Sequence, residues 1–298
     1  MVLTGYISRA GCLSLSLLLL CTDAASQAGS KNYLQINDTS KSESGNSRHS
    51  FFAGTGYGSN MIYLGSTISR NQPYGYAALS YGFNSEFYAS FSTVHLSGVN
   101  PFLPFHIGSI NYNHVFNSWF DISTGVYRYQ VARSLADTLF SSFSYADLTL
   151  GFDWRILYTK ISAGGLLSDE NGIYFQIRNS RYFKTPDFLN DKANISFDPY
   201  VNILFGTLIE KRTSTETSVI ISTPARKWRK YPKWTTPTVT YAELFGLMEV
   251  DFGVPVAFNT DRMSIEAEPG FVLPLYEDPD FPGSKGFNFM LSGYFRIF

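Results

Sequence analysis

FNFMLSGYFRIF, Phe287 to Phe298, is the stretch that decides the fold. Its odd positions are Phe287, Phe289, Leu291, Gly293, Phe295 and Ile297, an oily face. Its even positions are Asn288, Met290, Ser292, Tyr294, Arg296 and Phe298, a mixed face. Successive side chains of a strand point to opposite sides, so this alternation reads as a strand with one side in an apolar medium. About ten residues suffice for a tilted strand to cross a bilayer. As the last strand, it is expected to pair inside a finished sheet.

Working back from this strand, eleven more candidates follow the same rule, near 51–58, 73–83, 87–98, 106–116, 119–130, 143–154, 157–167, 172–182, 195–209, 241–257 and 262–275. The connections alternate in length. Gly82 to Ser85, Phe116 to Ser118, Asp153 to Ile156 and Phe258 to Asp261 are tight turns; Ser59 to Gln72, Ser97 to Phe105, Ala132 to Ser142, Glu210 to Thr240 and Glu277 to Gly286 are long. Short turns at one rim and long loops at the other are what a membrane-spanning barrel shows. The fold expected is therefore all-β, a transmembrane antiparallel up-and-down barrel of about 12 strands. Phe183 to Asn194 is long for a turn and Ser168 to Asn171 short for a loop, so 10 or 14 strands also fit.

Composition agrees. Hydrophobic residues make up 44% and aromatics 17%, with 20 Tyr and 26 Phe. A helical membrane protein would show runs of 18 or more apolar residues, and none stands outside the first 28 positions. An aromatic excess suits the girdles at the two interfaces of a barrel. The net charge of -1 gives no basic footprint for nucleic acid. Residues 1–28 read as a secretory signal peptide: Arg9 precedes a ten-residue apolar run, Cys12 to Cys21, and Ser26-Gln27-Ala28 is a small-x-small cleavage site. The domain plan expected is signal peptide 1–28, a polar periplasmic lead-in 29–50 and the barrel 51–298. Both cysteines fall in the leader, so a mature chain has no thiol for a disulfide or a metal.

Phase within the strands assigns faces. In strand ten, Ala242, Leu244, Gly246, Met248, Val250 and Phe252 oppose Glu243, Glu249 and Asp251. In strand eleven, Met263, Ile265 and Ala267 oppose Ser264, Glu266 and Glu268. An Arg or Lys facing lipid at the midplane costs roughly 2–4 kcal/mol, and Asp or Glu somewhat less. Glu249, Asp251, Glu266 and Glu268 are thus expected in the lumen, with Lys160 and Arg178 from strands seven and eight. They read as a charge-paired interior plug or, alternatively, as the lining of a narrow ion-selective pore. Pro199, Pro255 and Pro269 lie inside strands, where bulges are expected.

Leader, strand spacing and terminal aromatic together resemble a family of outer-membrane β-barrel proteins common in Bacteroidetes-type bacteria. The pattern rests on FFAGTGYG from Phe51, IEAEPGFVLPLYE from Ile265 and LSGYFRIF at the end. The resemblance implies a bacterial outer-membrane location, outer-membrane lipid as surroundings, no cofactor, and recognition of Phe298 by the barrel-assembly machinery. It implies no activity. In one respect the sequence departs from the pattern: Arg296 and Ser292, not apolar residues, share the phase of Phe298. A bulge near the end or an inward Phe298 would reconcile this.

Two local constellations carry chemistry. His95-Leu96-Ser97 places an imidazole and a hydroxyl two residues apart, on one face of a strand, where the ring could act as base for the hydroxyl. Locally this resembles two barrel enzymes, the outer-membrane phospholipase and the lipid A deacylase, although Gly98 stands where those usually have Asn. In the longest loop, Arg226, Lys227, Arg229, Lys230 and Lys233 interleave with Trp228, Tyr231 and Trp234. Cations suit phosphates and aromatics suit sugar rings or headgroups, which points to lipopolysaccharide. The four His show no metal-ligand spacing. The expectation is a non-enzymatic barrel, structural, surface-binding or narrowly porous; the alternative is a membrane-embedded lipid hydrolase using His95 and Ser97.

Overall fold

The computed structural model describes residues 48–63, 66, 67, 69, 71–135, 142–167, 172–213, 217–221, 239–275 and 285–298. They form a closed antiparallel barrel of 12 strands. In chain order these are β1 (His49–Gly58), β2 (Tyr74–Phe83), β3 (Phe87–Leu96), β4 (Phe105–Val115), β5 (Phe120–Val131) and β6 (Phe143–Asp153). Then come β7 (Tyr158–Leu166), β8 (Ile173–Ser180), β9 (Ala193–Phe197 continuing as Tyr200–Thr213), β10 (Val239–Gly253 continuing as Val256–Thr260), β11 (Met263–Pro274) and β12 (Gly286–Arg296). Each strand pairs with its chain neighbours, and β12 closes on β1 through Phe52↔Arg296 to Gly58↔Met290. A closed ring leaves no unpaired edge, which is what lets a sheet stand in lipid. The first strand starts at His49, inside the expected lead-in. The leader, with Cys12 and Cys21, lies outside the described residues.

The doubtful connection after β8 resolves into strand extension. Phe183–Lys184 pairs with Phe197 and Ser196 of β9, and the tip is tied by Lys184 to Asp187 at 3.0 Å. Leu189, Asn190 and Asp191 turn the chain there with positive φ.

The prolines behave differently from expectation. Tyr200 faces Gly253 and Phe197 faces Val256, so the register runs unbroken across Pro199 and Pro255. On the other side, Gly253↔Gly270 and Val256↔Ala267 carry it past Pro269 as well. A proline lacks the N–H but keeps its carbonyl, and all three carbonyls accept: Arg181 N–H donates to Pro199, Asp198 N–H to Pro255 and Val254 N–H to Pro269. The real register shift falls between Leu204 and Phe205 of β9, opposite Met248. As an extra residue in its strand, Met248 is buried together with its immediate neighbour Glu249. The phase read straight through strand ten therefore fails at this bulge.

The outer wall carries an apolar belt. Leu79, Phe91, Ile110, Val126, Leu148, Val201, Phe252 and Leu291 are all exposed. At the short-turn rim, Phe116, Phe120, Phe152 and Trp154 form a continuous aromatic chain with centroids 5.3, 5.4 and 6.0 Å apart. Such a belt with an aromatic girdle is the surface that a bilayer covers. The terminal departure has its own solution. No register shift occurs in β12, and Phe298 is neither bulged nor inward. It lies past the strand end, exposed, stacked on Phe51 at 5.8 Å, its carbonyl accepting from the Phe51 N–H at 3.2 Å.

Candidate functional site

The lumen has two halves. The half towards the long connections is packed with aromatics: Tyr74, Tyr129, Tyr145, Tyr174, Phe105 and Phe143 are each fully buried. Their rings need room, and glycines on the inward phase provide it. In the opening motif, Gly54, Gly56 and Gly58 lie under Tyr294, Tyr76 and Tyr74. A Cβ on Gly56 would meet the Tyr76 ring at 2.3 Å, and one on Gly58 would meet Tyr74 at 2.2 Å. Across the β12–β1–β2 closure, the Tyr76 and Tyr294 hydroxyls join at 2.7 Å. Tyr129 stacks on Phe143 at 4.5 Å, and Tyr145 covers Gly164. The apolar core of this molecule is thus inside the barrel rather than between layers.

The half towards the short turns is polar. Ser80, Ser90, Ser109, Asn111, Thr149, Ser162 and Gln176 point inward and are buried. Here stand the charges assigned by phase. Lys160, Arg178, Glu249 and Asp251 are all buried. Glu266 and Glu268 are partly buried on the face of inward Ser264. Register lines four residues up in one row: Lys160 faces Arg178, Arg178 faces Asn202, and Asn202 faces Asp251. The guanidinium of Arg178 lies 3.6 Å from the Tyr200 ring centroid. The Tyr200 hydroxyl donates to Glu268 Oε1 at 2.7 Å, and Asn202 Nδ2 donates to Asp251 Oδ2 at 2.6 Å. Tyr200, Asp251, Glu268 and Asn288 also border a gap of about 10 Å³, room for about one water.

Arg178 is therefore stabilised by a ring face; no carboxylate reaches it within ion-pair distance among the described residues. Sequence reasoning missed Tyr200 and Asn202, the pieces that connect the charges. A tyrosine in a barrel strand reads equally as girdle, and only its phase against Asn202 and Leu204 betrays an inward ring. It also left out other inward acids, among them Asp121, which takes the Tyr158 hydroxyl at 3.0 and 2.9 Å, and Asp198 beside Pro199.

His95 and Ser97 do not meet. His95 lies on the outward phase of β3, between buried Val94 and Leu96. Its Nδ1 is 2.6 Å from the Phe102 carbonyl, so it carries the proton and donates, and its ring stacks on Phe102 at 4.3 Å. The Arg226 to Trp234 cluster lies outside the described residues. No group of His, Cys, Asp and Glu among the described residues has the geometry of a metal site.

No family model matches the chain, and no curated protein matches it in sequence. Solved structures similar in shape include the NanC porin, with a TM-score of 0.45 and 9% identity over 82% of this chain and 98% of that one. LpxR from Salmonella typhimurium gives 0.45 at 6% identity, over 82% of this chain and 99% of its own. An outer-membrane channel from Pseudomonas putida F1 gives 0.43 at 12% identity, over 86% and 100%.

Proposed function

We propose that this chain is a non-enzymatic barrel of the bacterial outer membrane whose interior is filled by its own side chains. In this reading it is a structural or surface-binding element and not an open diffusion pore. The observation that carries the proposal is the aromatic packing of the long-loop half, with glycines placed beneath buried tyrosines. An open pore has no use for a tightly interdigitated interior, whereas a small barrel is stabilised by one. The acid-rich half below is then a vestibule reached from the short-turn side. Export by the leader, insertion through the Phe298 end by the assembly machinery, and lipopolysaccharide contact through Arg226 to Trp234 belong to the same proposal.

The hydrolase alternative draws no support from the strand that would carry it: β3 ends at Leu96, Ser97 lies in the turn that follows, and no hydrogen bond joins it to His95. Ester hydrolysis by the refolded protein in phospholipid micelles should stay at background, and Ser97→Ala should not change it. Loss of a measurable hydrolysis with Ser97→Ala would replace the proposal. For transport, proteoliposomes swollen in arabinose give the test. Swelling at the rate of empty vesicles is expected, and porin-like swelling would overturn the filled-lumen reading.

A further inference from the structure

The outer wall is not apolar throughout. On β5, Arg128 and Gln130 are exposed and alternate with buried Tyr127, Tyr129 and Val131, so they point away from the lumen. Their cross-strand neighbours share that face. Arg128 faces Ser144 of β6 and Gly108 of β4, Gln130 faces His106, and His106 faces Thr93 of β3. One patch on four adjacent strands thus carries a guanidinium, an amide, an imidazole and two hydroxyls.

Its hydrogen-bonding capacity is largely unused. Arg128 gives Nη1 to Ser144 Oγ at 3.1 Å, and no carboxylate pairs with it among the described residues. Thr93 Oγ1 and His106 Nδ1, register neighbours, are both shielded and have no hydrogen-bond partner. Arg128 and Gln130 are thus the exposed donors of the patch, with the His106 ring and the Thr93 hydroxyl covered beside them. Directly below them, nearer the short turns, the wall becomes apolar at Phe91, Ile110, Val126 and Leu148.

Height decides what fits. From Phe120 in the aromatic girdle to Arg128 is eight residues along β5, roughly 20 Å of axial rise for a tilted strand. The apolar band of such barrels is about 25 Å tall. Arg128 therefore stands within about 5 Å of the upper boundary of the band, close to where acyl chains end and headgroups begin. A planar guanidinium suits phosphate oxygens through paired N–H donors, and the apolar residues beneath suit the chains of the same molecule.

We infer that Arg128 and Gln130, with the His106 ring beside them, form a wall site for the anionic, phosphate-bearing headgroup of a membrane lipid. The site rests on the membrane-barrel reading above but not on the state of the lumen, so a conducting barrel would leave it intact. The probe is phosphatidylglycerol against phosphatidylcholine, mixed with refolded protein in detergent and counted by native mass spectrometry. Wild type should retain phosphatidylglycerol about tenfold more, the return of one charge-assisted contact. Arg128→Gln should abolish the preference and His106→Gln should reduce it. Arg262→Gln, at the opposite rim, should keep it. Heat-modifiable gel mobility confirms that each variant is folded, and His106→Gln serves if Arg128→Gln is not. Equal retention of the two lipids overturns the site, as does a preference that survives Arg128→Gln or is lost equally in Arg262→Gln. Displacement by inorganic phosphate would show an anion site without lipid and would also overturn it.

Discussion

Gly56 and Tyr76 occupy one space between them. The missing Cβ of one is the seat of the other's ring, at 2.3 Å from where that atom would stand. The ring cannot swing aside freely, because its hydroxyl is tied to Tyr294. Gly56→Ala should therefore destabilise the barrel by roughly 1–3 kcal/mol, the usual cost of overpacking. The urea midpoint of the folded, heat-modifiable band measures it. Combined with Tyr76→Ala, the two changes should fall short of additive, since the small residue leaves the methyl its room. In the polar half, Tyr200→Phe removes a 2.7 Å bond to Glu268. A bond to a charged group is worth about 1.5–3 kcal/mol, and the same titration should show a loss of that order. The inward acids were legible in the sequence because alternation in β11 and charge cost in lipid agree on their side. Tyr200 was not, since its type fits both girdle and lumen. The glycines of FFAGTGYG were visible as a pattern, but their purpose lies in rings from β2 and β12, distant in sequence.

Element boundaries were legible for a different reason. Each strand must span one fixed thickness and ends where turn residues begin, so β2 to β8 stand within one or two residues of their expected limits. Irregularities were not. The prolines looked like bulges, yet counting residues from Phe197↔Val256 to Tyr200↔Gly253 shows none inserted. The bulge sits at Met248, where no Gly or Pro marks it. A bulge reports the mismatch between two strands, and a single strand's sequence does not contain its partner's register. Pro199 and Pro255 still remove two donors from neighbouring strands, which lowers the cost of local opening there. In hydrogen–deuterium exchange, amides at 198–201 and 253–256 should exchange about tenfold faster than those of 107–113 and 123–129, in keeping with one bond's worth of protection. Uniform protection across all four segments would contradict this account of the prolines.

At the scale of the molecule, one sheet separates two apolar environments. Outside, Leu79, Phe91, Ile110 and Leu148 form an exposed apolar belt; inside, Tyr74, Tyr129, Tyr145 and Phe105 belong to one buried cluster. The sequence alternation announces the first and hides the second, because tyrosine is read as polar until glycines are seen to seat it. Charges then collect where aromatics stop, in the row of Lys160, Arg178 and Asp251, with the Asn202 amide between the last two. A barrel built this way should resist ion flow at its long-loop half and be hydrated at the other. The acids Glu266 and Glu268 lie below the aromatic packing, so Glu266→Gln with Glu268→Gln should change stability more than conductance. The most direct test of the filled lumen is single-channel recording of the refolded wild type in planar bilayers, beside Tyr76→Ala with Tyr129→Ala. The wild type should hold the baseline with no steady open level, and the double variant should show discrete openings. A wild type that conducts steadily at a porin-like level, unchanged by the loss of both tyrosines, would contradict the account.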